Sequence, residues 1–172
     1  MKTKTNSKTA NGSTAEALAG VSRAPRSLGV HFSSATDEWA TPQWLFNELN
    51  AQFAFTLDPC ATPQNAKCPT YFTRSEDGLV QDWGNNTVFM NPPYGRAIGQ
   101  WMKKAYEASR MGATVVCLVP ARTDTAWWHC YALKGKYRFL RGRLRFEGGK
   151  HSAPFPSAIV VFRPHGQMLR AA

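Results

Sequence analysis

Val88-Phe89-Met90-Asn91-Pro92-Pro93-Tyr94 is an apolar run that stops against two prolines. Three apolar residues in succession suit a strand covered on both faces, as in the parallel sheet of an α/β protein. Proline lacks a backbone N–H and holds φ near about −65°, so the corner after Met90 can only accept hydrogen bonds. Asn91 precedes a proline and is held extended, which continues the strand and projects its amide from the carboxyl end. Ligands of α/β sheets bind at that end. The Asn91 side-chain oxygen and the Pro92 carbonyl can there accept both hydrogens of one amino group. An amine conjugated to a ring is a poor nucleophile, and two acceptors localise its lone pair. Tyr94 offers a flat π face on which a planar base can stack and which tolerates developing positive charge.

Working outward, the pattern alternates between strands and helices. Thr41 is expected as the N-cap and Pro42 as the first residue of a helix whose Leu45 and Leu49 lie one turn apart. Phe53, Phe55 and Leu57 alternate and predict a first strand ending at Asp58. Thr70 to Thr73 predicts a second strand, and Val88 to Met90 feeds the proline corner. Ile98, Trp101, Ala105 and Ala108 mark one face of a helix that ends near Gly112. Val115 to Val119 reads as a buried strand and Thr125 to Leu133 as a helix. Two strands, near Tyr137 to Phe146 and Ala158 to Phe162, are expected to close the fold as an antiparallel pair. The order implies an α/β sheet with helices on both faces.

Composition bounds the function. The chain has 172 residues, 43% of them hydrophobic, enough for one domain with a real core. Its 21 Lys and Arg against 11 Asp and Glu give a formal charge of +10, which favours a polyanionic partner, most simply a nucleic acid. No apolar run approaches the ~18 residues of a membrane span. The polar start Met1-Lys2-Thr3-Lys4 leads into no signal-type segment, so a cytosolic protein is expected. Residues 1–36 are rich in Ser, Thr, Ala, Gly and Lys without an apolar period. They predict a disordered basic arm ahead of a single domain over residues 37–172.

Cys60, Cys68, Cys117 and Cys130 show no metal-binding spacing with one another or with His129 and His151, so structural thiols and no metal are expected. Lys134, Lys136, Arg138, Arg141, Arg143 and Arg145 follow one another with no acid between them. Strand periodicity would set Arg141, Arg143 and Arg145 on one face, where guanidinium groups suit phosphates; a solvated, charge-protected edge strand is the competing reading. Arg122, Thr123 and Asp124 follow a buried strand at its carboxyl end and are expected to line the same cleft as Asn91. Trp127 and Trp128 offer stacking surfaces, although one of an adjacent pair is normally core.

The wider pattern carries a resemblance. Trp39-Ala40-Thr41-Pro42, Leu57-Asp58-Pro59-Cys60-Ala61, Asn65-Ala66-Lys67-Cys68, Asp77-Gly78-Leu79, Asn91 to Tyr94, Pro120-Ala121-Arg122-Thr123 and Gly142-Arg143-Leu144-Arg145-Phe146 stand in that order. The sequence resembles phage-type DNA adenine N6-methyltransferases over roughly Asp37 to Pro164. The resemblance implies a Rossmann-like class I methyltransferase sheet and S-adenosylmethionine as cofactor. It also implies transfer of a methyl group to the N6 amino group of a flipped adenine, with Asn91, Pro92 and Tyr94 catalytic. By the same analogy Thr41 and Asp58 flank the methionine end of the cofactor and Asp77 accepts from its adenine amino group, with Asp82 competing for that role. Glu76 is a weaker candidate for the ribose.

One departure stands out: Asp58 to Thr62 contains no glycine where related enzymes place a Gly-rich turn. A catalytically inactive DNA-binding relative therefore stays open as an alternative, as does an amino-group methyltransferase acting on RNA or on a protein glutamine. The expected substrate is double-stranded DNA bound by a monomer. No separate target-recognition domain is visible. The resemblance further suggests a phage or prophage enzyme that masks DNA from restriction in the host cytoplasm.

Overall fold

The computed structural model describes residues 38–164. The basic arm expected over residues 1–36 lies outside the described residues, as do residues 165–172. The described residues form a six-stranded sheet flanked by helices. Its strands are β1 (Leu57–Asp58), β2 (Thr70–Tyr71), β3 (Thr87–Met90), β4 (Thr114–Pro120), β5 (Lys136–Phe139) and β6 (Ser157–Phe162). The helices are α1 (Gln43–Phe53), α2 (Ile98–Arg110) and α3 (Ala126–Cys130).

The spatial order is β2-β1-β3-β4-β6-β5. The first four strands in that order run parallel, β6 is antiparallel to both neighbours, and β5 therefore points the same way as β4. Register assigns the faces. Phe89 pairs with Val116, and Val116 with Val161, so these three share one face; Val88, Val115 and Phe162 share the other. Phe46 of α1 meets Phe89 edge-on at 5.2 Å, whereas Tyr106 of α2 meets Phe162 at 5.9 Å. The two helices thus cover opposite faces, and both faces of β3 and β4 are sealed. That sealing explains why their sequences read as continuous apolar runs.

Several local expectations are corrected. Thr41 does not cap α1: the helix starts after Pro42 without a side-chain cap, because the Thr41 hydroxyl is engaged by Asn91. Phe53 closes α1, so only Leu57 and Asp58 remain in β1, and β2 is likewise two residues long. The Thr125–Leu133 helix breaks at Tyr131, beyond which Ala132–Lys134 winds more tightly. The strand expected to reach Phe146 ends at Phe139. One further ladder bond runs from the Leu140 N–H to the Ser157 carbonyl, and the backbone then turns left-handed at Gly142, with φ +78°.

Arg141, Arg143 and Arg145 therefore do not share a strand face. Arg143 and Arg145 remain exposed because Leu144 and Phe146, between and beyond them, turn into the core. Among the described residues no helix is long and apolar enough to cross a membrane.

Candidate active site

The carboxyl ends of β1, β3, β4 and β5 form one rim, and β6 begins at it. Asp58, Asn91, Arg122 and Arg141 all lie at or just beyond those ends, and Phe155 precedes β6 there.

Asn91 is the best-defined group on this rim. Its Nδ2 donates to the Trp39 carbonyl and, at 2.8 Å, to the Thr41 hydroxyl. A carbonyl can only accept, so the amide orientation is fixed and Oδ1 must point the other way. Oδ1 is buried and has no protein partner. Buried acceptors are nearly always satisfied, so an orphan of this kind calls for a ligand.

Pro92 and Pro93 line the same cavity, whose volume is about 580 Å³. That lies within the roughly 300–1,000 Å³ of clefts that enclose cofactor-sized molecules. Thr41, Asp58 and Asp77 also line it, so five of the expected site residues, with Asn91 and Pro92, converge on one space. Asp58 is buried, 5% exposed; its Oδ2 accepts from the Lys67 N–H at 3.2 Å and its Oδ1 from the Cys60 N–H at 3.4 Å. Burial raises its carboxyl pKa to about 6, against the opposing pull of those two N–H groups and the Lys67 charge. A carboxylate so placed favours a cationic ligand.

Asp77 holds φ at +50° and accepts the Leu79 N–H at 3.1 Å, so it caps its own turn while facing the cavity. Gly78 follows it, and a Cβ there would stand 1.9 Å from the Pro59 carbonyl oxygen. The loops carrying Asp58 and Asp77 are therefore in backbone contact. The loop after β1 carries no glycine of its own, and it is the glycine of the opposing loop that permits their close contact. The buried Trp83 fixes it, donating from Nε1 to the Gly78 carbonyl at 2.9 Å.

Tyr94 lies outside the cavity. It is 3% exposed, its hydroxyl donates to the Leu118 carbonyl at 3.2 Å, and its ring meets Phe155 and Phe146 at 5.6 and 6.1 Å. Those two phenylalanines also pack on Trp39, each at 5.1 Å, so an aromatic cluster backs the segment that holds Asn91. A base can reach the Tyr94 ring only where that cover moves aside. Arg122 is exposed and donates to the Tyr94 carbonyl at 3.3 Å.

Asp82 and Glu76 do not line the cavity. Asp82 accepts the Gly84 N–H at 2.9 Å, and Glu76 accepts the Thr73 N–H at 2.8 Å and the Thr73 hydroxyl at 2.7 Å. Lys67, Trp39, Phe155 and Gly78 are site residues that local sequence rules did not single out, because each acts through a partner distant in the chain. The Lys67 ammonium meets Glu147 at 3.2 Å and Gln43 at 2.9 Å, and the Glu147 N–H donates to the Ala40 carbonyl at 2.9 Å. The arginine-bearing loop is thereby fastened to the cavity wall. Among the described residues no group of three His, Cys, Asp or Glu side chains could hold a metal, and all four cysteines are free thiols.

The Asp58 shift predicts a pH effect. Its folded pKa of about 6 exceeds the ordinary value of 3.8. Between those values the folded protein binds more protons than the unfolded chain, so stability falls as pH rises. The contribution is full below about 3.8, is lost above about 6, and amounts to on the order of 3 kcal/mol. Asp58→Asn is expected to remove this slope and to be the more stable protein at about pH 8. Urea midpoints of both proteins on either side of the window check it.

A sheet with four parallel neighbours and a cleft of cofactor size at their carboxyl ends define an α/β protein with a ligand site at the usual edge of its sheet. Comparison with known proteins narrows the class. The family model for DNA N-6-adenine-methyltransferase (Dam) matches residues 31–168. The chain belongs to that family and is an adenine-specific DNA methyltransferase. It is similar to the DNA N-6-adenine-methyltransferase of Haemophilus phage HP1, with 27% identity over 142 residues, or 76% of this chain and 81% of that protein. It is also similar to the DNA N-6-adenine-methyltransferase of Escherichia phage T1, with 32% identity over 94 residues, or 54% of this chain and 39% of that protein.

Proposed function

We propose that this protein transfers a methyl group from S-adenosylmethionine to the N6 nitrogen of a flipped adenine in double-stranded DNA, acting as a monomer in the cytoplasm. The observation that carries the reading is the buried, unpartnered Asn91 Oδ1 beside Pro92 at the cavity wall. The strand order, with one reversed strand between β4 and β5, supports a Rossmann-like methyltransferase fold for the domain expected over residues 37–172.

When bound, S-adenosylmethionine supplies an electrophilic methyl group for direct in-line transfer. The cavity residues fit that cofactor. Asp58 offers a buried carboxylate to a cationic end, Thr41 flanks it, and Asp77 offers its second carboxylate oxygen to an amino group. Asn91 Oδ1 and the Pro92 carbonyl accept the two N6 hydrogens, which localises the nitrogen lone pair and stabilises the positive charge that grows on it. No general base is needed beforehand, because the nitrogen becomes acidic only once it carries the methyl group. Asn91 cannot rotate, so its contribution is mainly orientation. Tyr94 backs the corner. Extruding the base costs a few kcal/mol, which contacts from Arg122, Arg141, Arg143 and Arg145 to phosphates offset.

The contact between the Asp58 and Asp77 loops supports an active enzyme over an inert DNA-binding relative. Incubation of an adenine-containing duplex with methyl-tritiated donor, followed by nucleoside analysis, tests the reading. N6-methyladenine is expected, and an unlabelled duplex in the presence of bound donor sinks it. Arg143→Ala is expected to weaken duplex binding and to reduce the slope of log affinity against log salt by about one. Titration at two ionic strengths measures both.

A further inference from the structure

We propose that Tyr137 and Phe139 on the edge strand β5 form a stacking platform for unpaired bases of a DNA strand beside the target; this rests on DNA being the substrate. All four residues of β5 are exposed, Tyr137 by 46% and Phe139 by 54%. Strand alternation puts the two aromatics on one side, with Lys136 and Arg138 on the other, where Arg138 meets Glu48 of α1 at 3.0 Å. Phe139 packs on Trp128 in an offset, near-parallel arrangement, centroids 6.0 Å apart and planes 9° apart, and Tyr137 meets both rings edge-on at 6.1 and 5.7 Å. Trp128 itself is 2% exposed. It is thus the buried ring against which the two half-exposed aromatics pack.

Charge selects the occupant. No acid occurs between Asp124 and Glu147, a stretch that carries Lys134, Lys136, Arg138, Arg141, Arg143 and Arg145. A polyphosphate strand complements that surface, whereas a second copy would bring the same cations against it. Aromatic faces amid cations bind unpaired bases of any sequence. Position agrees with this. The carboxyl end of β5 lies on the rim that carries Asn91, three strand spacings from β3. That is about 14 Å across the sheet, within reach of a few nucleotides of the strand that carries the target.

The test uses the full chain and a labelled thymidine oligonucleotide of about 12 nucleotides, which cannot be methylated. Tyr137→Ala/Phe139→Ala is expected to weaken binding by about ten- to a hundredfold with an unchanged salt slope. Tyr137→Leu/Phe139→Leu keeps Trp128 covered but removes the π faces, and the same loss is expected, with turnover on saturating duplex retained. Undiminished binding by the leucine pair overturns the platform. So does a wild-type dimer, seen by sedimentation, that the leucine pair splits without losing the oligonucleotide, because the face would then join two copies. Wild-type protein that methylates duplex adenine but ignores the oligonucleotide also overturns it while leaving the methyltransferase reading intact. Failure to methylate adenine at all would count against that reading instead.

Discussion

Asn91→Ala is expected to lower methyl transfer by roughly a hundred- to a thousandfold, the effect of deleting one preorganised polar group at a reacting centre. Duplex affinity should be unchanged, because Asn91 faces the cavity and not the exposed arginines. The loss has a definite origin. With the amide gone, the Trp39 carbonyl and Thr41 hydroxyl lose a donor, and one of the two N6 hydrogens loses its acceptor. Asn91→Asp is no conservative control, since a carboxylate oxygen would face the Trp39 carbonyl where Nδ2 now donates. Single-turnover transfer of tritiated methyl, run beside filter binding, separates the two quantities. Turnover within a few-fold of wild type would remove Asn91 from the chemistry.

Gly78→Ala is the second large effect. The new methyl would sit 1.9 Å from the Pro59 carbonyl oxygen and 3.0 Å from its carbon, both backbone atoms that no rotamer change relieves. Retreat of the Gly78 loop is opposed by its carbonyl bond to Trp83 and by Trp101, whose ring lies 3.3 Å from the same Cβ position. The Asp58 and Asp77 loops must therefore separate. A destabilisation of about 1–3 kcal/mol is expected from the overlap, with at least a tenfold loss of donor affinity as the cavity opens. Urea unfolding and calorimetric titration with S-adenosylmethionine measure the two parts. Wild-type values for both would mean that the loops part at no cost and that their contact has no role in the site.

What could be read in the sequence was whatever a few neighbouring atoms decide. Two prolines after an apolar run locate the corner and the direction of the Asn91 amide whatever lies around them. Leu45 with Leu49 and Ile98 with Trp101 and Ala105 give their helices because burial on one face repeats with the helical turn. The Dam family membership follows from the ordered motifs. Illegible were the features set by partners far along the chain. Thr41 obeys the local rule for an N-cap, but its hydroxyl is recruited by an amide 50 residues away. The absence of glycine from the Asp58 loop is a fact about one segment, whereas the tight contact of that loop with its neighbour depends on Gly78, 20 residues further on. The arginine segment alternates like a strand because Leu144 and Phe146 are buried, yet burial alone does not make a ladder, and Gly142 turns the chain away.

The interior place of β6 has a consequence for how the enzyme is made. This strand comes last among those described, yet it is inserted between β4 and β5, so the apolar β4 has no ladder partner on that side until β6 pairs with it. Phe155 and the Glu147 strut to Lys67 arrive equally late. The residues that line the cavity, Glu38 to Trp101, thus all precede the strand that closes the sheet, and the aromatic backing and the Lys67 strut are added behind them by the last described segment.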